Sequence, residues 1–189
     1  MTALQDRRIP MPVWESLLKS CGLRRAELER LHVDDITQDE DGQIWLHIAE
    51  SEESPEREVP VFNGFNWAII SILAGQFPSV EEPDAAQRRS RSHWKLITFQ
   101  AAIKKRSPNE LLISSVPPDL DFEQGRWEYA WWMYFGTIES LGVVHYPRTF
   151  NEVGEQVRLT LGLPKIDETI RGFMRQAKRD FMREFKAWV

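Results

Sequence analysis

A glycine followed almost at once by an arginine separates two helical stretches near the start of the chain. Residues 12–20 are typical of a short helix, with Pro12 in its first turn and Gly22 just past its end. Residues 24–31 predict a second helix, and Arg24 stands at its start. Because the dipole of a helix opposes a cation at its N-terminus, a purely structural Arg24 would be poorly placed. The pattern therefore predicts a helix–glycine–helix corner that presents Arg24 for binding.

The rest of the chain predicts a mainly α fold with one small antiparallel β ribbon. Residues 43–48 alternate like a half-buried strand, and residues 57–61 follow as its partner, with Pro60 confining that partner to an edge. The other helices are expected over 64–75, 92–105, 123–141, 149–161 and 166–188.

The composition favours a single soluble domain. We expect residues 1–10 to be a tail and residues 11–189 to form one domain, with the last helix docking either on a partner or on its own domain. One cysteine fits a reducing compartment, and the chain has neither a readable signal peptide nor an apolar run long enough for a bilayer, so we expect a cytoplasmic protein without a membrane partner. The four histidines are scattered, so no metal and no cofactor is expected.

The charge is strongly segregated along the chain. The net charge is −5, but residues 34–58 hold ten acidic side chains and residues 88–106 hold seven basic ones and no acidic one. Such a field can bind a polyanion locally although the total is negative. The alternative is that 88–106 is a solvated loop and helix. The predicted DNA-binding residues are Arg88, Arg89, Arg91, His93, Lys95, Lys104, Lys105 and Arg106.

The corner resembles the first active-site box of the tyrosine recombinase (phage integrase) family. The likeness covers Gly22-Leu23-Arg24, Glu27-Leu28, Leu31 and the Asp35-Ile36 pair that leads to a strand. It implies a tyrosine recombinase catalytic-domain-like fold, with Arg24 as the first arginine that clamps a DNA phosphate. A guanidinium suits this role because its planar fork donates two hydrogen bonds to phosphate oxygens.

A second box is expected at residues 145–150, HYPRTF, where the family has His-x-Leu-Arg-His-Thr-Phe. The resemblance implies that Arg148 is the second phosphate clamp and that His145 is a hydrogen-bond donor or proton shuttle. The two arginines should then converge on one phosphate. The alternative is a buried histidine beside an arginine at a helix start.

Two departures from the family argue against DNA cleavage. The ribbon tip has Glu52 where the family carries a lysine, and the third box, residues 161–169, has Leu163 where a histidine or tryptophan is expected. The tyrosine nucleophile should fall at Gly172 or Phe173, and neither has a hydroxyl. Two of the three tyrosines in the chain, Tyr129 and Tyr134, lie on the aromatic-rich helix predicted over 123–141, where a core role is expected.

The leading expectation is a degenerate recombinase-like protein that binds double-stranded DNA without cleaving it and acts in, or regulates, the integration of a mobile element. Its partners would include a full-length integrase or a second copy of itself. One alternative is an active subunit that receives its tyrosine from another chain. The other is a protein-interaction module that kept the fold and lost DNA binding, which the acidic ribbon would suit.

Overall fold

The computed structural model describes residues 9–52, 54–62, 66–77, 98–141 and 146–163, together with positions 171, 172, 175, 176, 179 and 183. For residues 134–141 and 146–151 the backbone alone is described. Within these ranges the chain is mostly helical, with one small three-stranded antiparallel sheet. The helices are α1 (Met11–Cys21), α2 (Arg25–Leu28), α3 (Asn66–Ala74), α4 (Phe99–Ile103), α5 (Phe122–Leu141) and α6 (Tyr146–Thr160). Positions 171, 172, 175, 176, 179 and 183 are also helical.

The sheet contains the predicted ribbon and one strand that was not predicted. Strand β1 (Ile36–Gln38) pairs with β2 (Ile44–Ile48), and β2 pairs with β3 (Arg57–Pro60), all antiparallel in the order β1-β2-β3. Pro60 lies on an edge strand, as predicted. Strand β1 has only three residues, too few for its alternation of buried and exposed side chains to stand out in the sequence.

The second helix is shorter than the predicted 24–31, because the chain after α2 pairs with a distant segment. The Leu112 N–H donates to the Leu31 carbonyl at 2.8 Å, and the Val33 N–H donates to the Glu110 carbonyl at 2.9 Å. His32 between them is extended, at φ −95° and ψ 167°, and forms a β-bridge with Leu111, so the helix cannot continue through it. A long-range contact therefore ends α2 at Leu28, and no local sequence signal predicts it.

The core lies where α1 packs against α3 and α5, and where α5 packs against α6. Leu17, Leu28, Ile69 and Tyr129 are among its largest fully buried side chains. Gly125 allows the close approach of α1 and α5, since a Cβ there would lie 2.6 Å from the Leu18 Cβ. Among the described residues, no helix combines the length and the apolar character that crossing a bilayer requires.

Candidate functional site

The predicted corner between α1 and α2 is present. Gly22 ends α1 in the left-handed conformation at φ 59°, and its N–H donates to the Leu18 carbonyl at 3.0 Å. Arg24 follows in an extended conformation as the residue that precedes α2, and its backbone N–H donates to Oε2 of Glu27 at 2.8 Å. The Glu27 carboxylate thus satisfies a backbone N–H at the start of α2 and holds the backbone of Arg24 in place.

Glu27 also forms a buried ion pair with Arg57, the first residue of β3. Nη2 of Arg57 lies 2.9 Å from Oε1 of Glu27, and the two side chains are 7% and 2% exposed. The same guanidinium donates from Nη1 to the Ser54 hydroxyl at 2.6 Å. From the sequence, Arg57 is predicted only as the first residue of the ribbon's second strand. Its one distinctive signal was that it is the single basic residue within the acidic stretch 34–58.

Three arginines from three different elements bind the successive carbonyls at the C-terminal end of α6. Arg57 donates from Nε to Thr160 O at 2.7 Å, Arg126 donates from Nη2 to Leu161 O at 3.3 Å, and Arg24 donates from Nη2 to Gly162 O at 3.3 Å. Cations stabilise this end of a helix because its free carbonyls carry partial negative charge. We call Arg24, Arg57, Arg126 and Glu27 the arginine cluster.

Arg126 and Glu27 each keep one buried side-chain atom without a hydrogen-bond partner, Nη1 of Arg126 and Oε1 of Glu27. Arg126 is 8% exposed. Burial lowers the pKa of Arg126, and the positive charge of nearby Arg24 lowers it further. Within the four residues of the arginine cluster, three guanidinium groups stand against one carboxylate, and the charges of Glu27 and Glu123 partly offset the lowering of the Arg126 pKa.

Arg148 lies far from this cluster. It is in the first turn of α6, whereas Arg24 binds a carbonyl beyond the last turn. The helix from Arg148 to Thr160 rises about 18 Å, at ~1.5 Å per residue. The expected convergence of Arg24 and Arg148 on one phosphate is therefore not what this fold presents, because α6 is a single helix that holds them at opposite ends. His145 lies outside the described residues.

The ribbon tip is acidic, as the sequence indicates. Glu50 and Glu52 are exposed, and Glu56 and Glu58 flank His47. Nδ1 of His47 lies 2.9 Å from Oε1 of Glu58, and that hydrogen bond raises the pKa of His47. The field at this tip attracts cations and repels phosphates.

The eight predicted DNA-binding residues fall into three groups: two exposed lysines, five residues outside the described ranges, and Arg106. Lys104 and Lys105 are exposed just after α4, which keeps them available to a polyanion. Arg88, Arg89, Arg91, His93 and Lys95 lie outside the described residues.

Arg106 differs from the expectation of a DNA-facing side chain. Its side chain is only 10% exposed, and its Nη2 forms an ion pair with Oε1 of Glu110 at 2.9 Å. The guanidinium also donates to Leu111 O at 3.0 Å and to Ile72 O at 3.3 Å. These contacts hold the segment after α4 against α3, so Arg106 acts here as a structural residue.

A large groove among the described residues is separate from the arginine cluster. It has a volume of about 1010 Å³ and is lined by apolar side chains that include Trp14, Ile72, Phe77 and Leu111. Of the described candidate residues, Arg106 alone contributes to its lining. The groove therefore adds no phosphate-binding geometry to the corner.

No nucleophile is found at the expected position among the described residues. Gly172 is helical and exposed, and Phe173 lies outside the described part of the chain. Tyr129 is fully buried, its hydroxyl donates to the Pro60 carbonyl at 2.9 Å, and burial raises its pKa well above the ordinary value. Tyr129 is therefore a core residue, as predicted.

Comparison with known proteins gives no assignment. No protein-family model matches the chain, and no curated protein matches it. Within the described residues, no group of three or more histidine, cysteine, aspartate or glutamate side chains is placed to hold a metal ion.

Proposed function

We propose that this chain is a DNA-binding protein of the tyrosine recombinase type that does not cleave DNA by itself and that acts in, or regulates, the integration of a mobile element. The observation that carries the proposal is the arginine cluster at the α1–α2 corner. There the partly exposed Arg24 stands beside Arg126, and both lie close to a carboxylate that is already paired with Arg57. A net positive centre of this kind favours a phosphate group.

The arrangement of elements supports the same proposal. The helix–Gly22–Leu23–Arg24–helix corner leads through a short strand to an antiparallel ribbon that ends in Val59-Pro60. The tyrosine recombinase catalytic domain, which the sequence resembles, is expected to have the corner first and the ribbon after it. The absence of a hydroxyl at Gly172 and Phe173 supports binding without a covalent phosphotyrosine step.

The decisive experiment is a titration of a fluorescent duplex with the full chain at about 50 mM and about 200 mM salt, because phosphate contacts make affinity fall steeply with salt. We expect salt-dependent binding that weakens in Arg24→Gln. Exposed Arg30, which donates to the Ala26 carbonyl one turn earlier, supplies the matched control Arg30→Gln. Absence of binding at the lower salt concentration would overturn the proposal.

A second arm tests whether a tyrosine arrives from another chain. A nicked suicide duplex is incubated with the protein alone and with an intact tyrosine recombinase, and covalent complexes are resolved on a denaturing gel. A covalent adduct of the intact recombinase that depends on Arg24 of this chain would favour the alternative of an active subunit completed in trans. The proposal expects no such dependence.

The acidic ribbon favours one other candidate function, a protein-interaction module that has lost DNA binding. Glu50, Glu52, Glu56 and Glu58 give the tip an exposed negative surface that would repel DNA and attract a basic protein surface. The measurement is binding to an intact integrase by the wild-type chain and by a Glu52→Lys/Glu56→Lys variant. Loss of that binding in the variant, together with no DNA binding by the wild type, would favour this candidate.

A further inference from the structure

We propose that Arg126, and not Arg148, is the second arginine that binds the phosphate held by Arg24. The inference rests on the proposed function and names a further binding residue for it. Its basis is the meeting of Arg24 and Arg126 at the C-terminal end of α6, where Arg126 has a buried and unpartnered Nη1.

The two guanidinium groups are neighbours in the fold although they are distant in sequence. Arg24 binds the carbonyl of Gly162, and Arg126 binds the carbonyl of the preceding residue, Leu161. Arg126 also lies near enough for the Arg24 charge to lower its pKa. The proposal requires these two guanidinium groups, which bind adjacent carbonyls, to approach one tetrahedral phosphate together.

Arg57 is the contrasting arginine of the same cluster, because each of its three guanidinium nitrogens donates a hydrogen bond. Its bonds to Thr160 O, the Ser54 hydroxyl and the Glu27 carboxylate measure 2.7, 2.6 and 2.9–3.0 Å. The single hydrogen bond of Arg126 is longer, at 3.3 Å, and no carboxylate of the described residues forms an ion pair with it. A bond of 3.3 Å lies at the weak end of the hydrogen-bond range, so Arg126 gives up less than Arg57 would in exchanging a carbonyl for a charged phosphate oxygen.

The unpartnered Nη1 of Arg126 is the observation that points to a ligand. Buried polar atoms in folded proteins almost always have a hydrogen-bond partner. Because Nη1 of Arg126 is out of contact with solvent, the proposal requires the guanidinium to turn outward toward Arg24 before a phosphate can reach it. The bound anion would then satisfy Nη1 and compensate the excess positive charge of the arginine cluster.

The test measures the number of phosphate contacts rather than affinity alone. Duplex binding is titrated over a range of salt for the wild type, Arg24→Gln, Arg126→Gln, Arg126→Lys and the exposed control Arg30→Gln. Losing one phosphate contact flattens the slope of log K against log salt by about 1. We expect this change in Arg126→Gln, with an affinity loss of about tenfold, since a hydrogen bond to a charged group contributes at least that much to an equilibrium constant. An Arg126→Gln variant that is folded and keeps the wild-type slope would overturn the inference.

A second readout separates this inference from the proposed function. The melting temperature of each variant is compared in phosphate and in chloride buffers of equal ionic strength. The wild type should be stabilised specifically by phosphate. Arg126→Gln should lose that shift, Arg126→Lys, which keeps a cation without the planar fork, should retain part of it, and Arg30→Gln should keep it in full. If the wild type binds no duplex yet shows this Arg126-dependent shift, the DNA proposal fails and the anion site stands. Equal shifts in the wild type and Arg126→Gln would overturn the site.

Discussion

The carboxylate of Glu27 and the guanidinium of Arg57 meet at 2.9 Å with almost no contact with solvent, at 2% and 7% side-chain exposure. Glu27 follows the corner that ends α1, and Arg57 begins the edge strand of the sheet. The pair therefore joins the helical layer to the ribbon.

Glu27→Gln should destabilise the protein by about 3–5 kcal/mol, because removing one partner of a buried ion pair leaves an uncompensated charge. Urea unfolding followed by circular dichroism measures the change. The matched control is Glu155→Gln, which removes a carboxylate that is 50% exposed and paired with Arg158, and it should cost less than about 1 kcal/mol. Equal losses in the two variants would contradict a structural role for the Glu27–Arg57 pair.

Gly22→Ala should destabilise the corner more than Gly42→Ala destabilises its turn. Both glycines have positive φ, 59° and 84°, which costs an L-residue about 1–2 kcal/mol. At Gly22 the new Cβ would also lie 2.6 Å from Cδ1 of Tyr129, whereas at Gly42 the nearest atom would be 3.9 Å away. The difference between the two free energies of unfolding therefore measures the packing of α1 against α5. The two losses would be the same if that packing could relax.

Much of the fold could be predicted from local sequence signals, and the parts that could not depend on long-range contacts. Pro12 and Gly22 bound α1 as predicted, and the alternation in residues 43–48 predicts β2. The early end of α2 depends on pairing with residues 110–112, to which no local pattern points. The start of α6 at Tyr146, three residues before the predicted 149, places a proline within the first turn, where its missing N–H is tolerated.

The site was harder to predict than the fold. Arg24 was found because a motif surrounds it, but Arg57 and Arg126 are single arginines without a motif, and only the fold brings them to the end of α6. Arg148 was chosen from its three-residue spacing to a histidine. That spacing says nothing about the length of the helix that follows Arg148. The distance between Arg148 and Arg24 depends on that length, because α6 lies between them.

The pH dependence of the ribbon should centre on His47. Its hydrogen bond to Glu58 raises the His47 pKa, and the charges of Glu58, Glu56 and Asp35 raise it further, against a smaller lowering by burial. The folded pKa is thus above the unfolded value of about 6.5. The stabilisation from the charged pair is complete below that unfolded value and is lost as pH rises through the higher folded value.

Glu58→Gln should therefore lower the His47 pKa toward its ordinary value. The measurement is an NMR titration of the imidazole in both proteins. Glu29→Gln, which alters an exposed carboxylate paired with Arg25, is the control and should leave the His47 titration unchanged. A His47 pKa that is the same in wild type and Glu58→Gln would show that the 2.9 Å contact does not persist in solution.

Arg106→Gln should reduce stability and leave the salt dependence of any DNA binding unchanged. The substitution removes the ion pair to Glu110 and the hydrogen bonds to the carbonyls of Ile72 and Leu111. The partly buried Ile72 carbonyl is then left unpaired, which costs about 1–3 kcal/mol. Lys104→Gln/Lys105→Gln is the opposite case. Both side chains are exposed, so the double variant should keep its free energy of unfolding within about 0.5 kcal/mol per site and lose up to two units of salt slope if these lysines contact phosphates. Denaturant unfolding and duplex titrations of the wild type, Arg106→Gln and the double lysine variant measure the free energy of unfolding and the salt slope of each. A flattened salt slope in Arg106→Gln, with the free energy of unfolding unchanged, would restore Arg106 to the proposed DNA-binding residues.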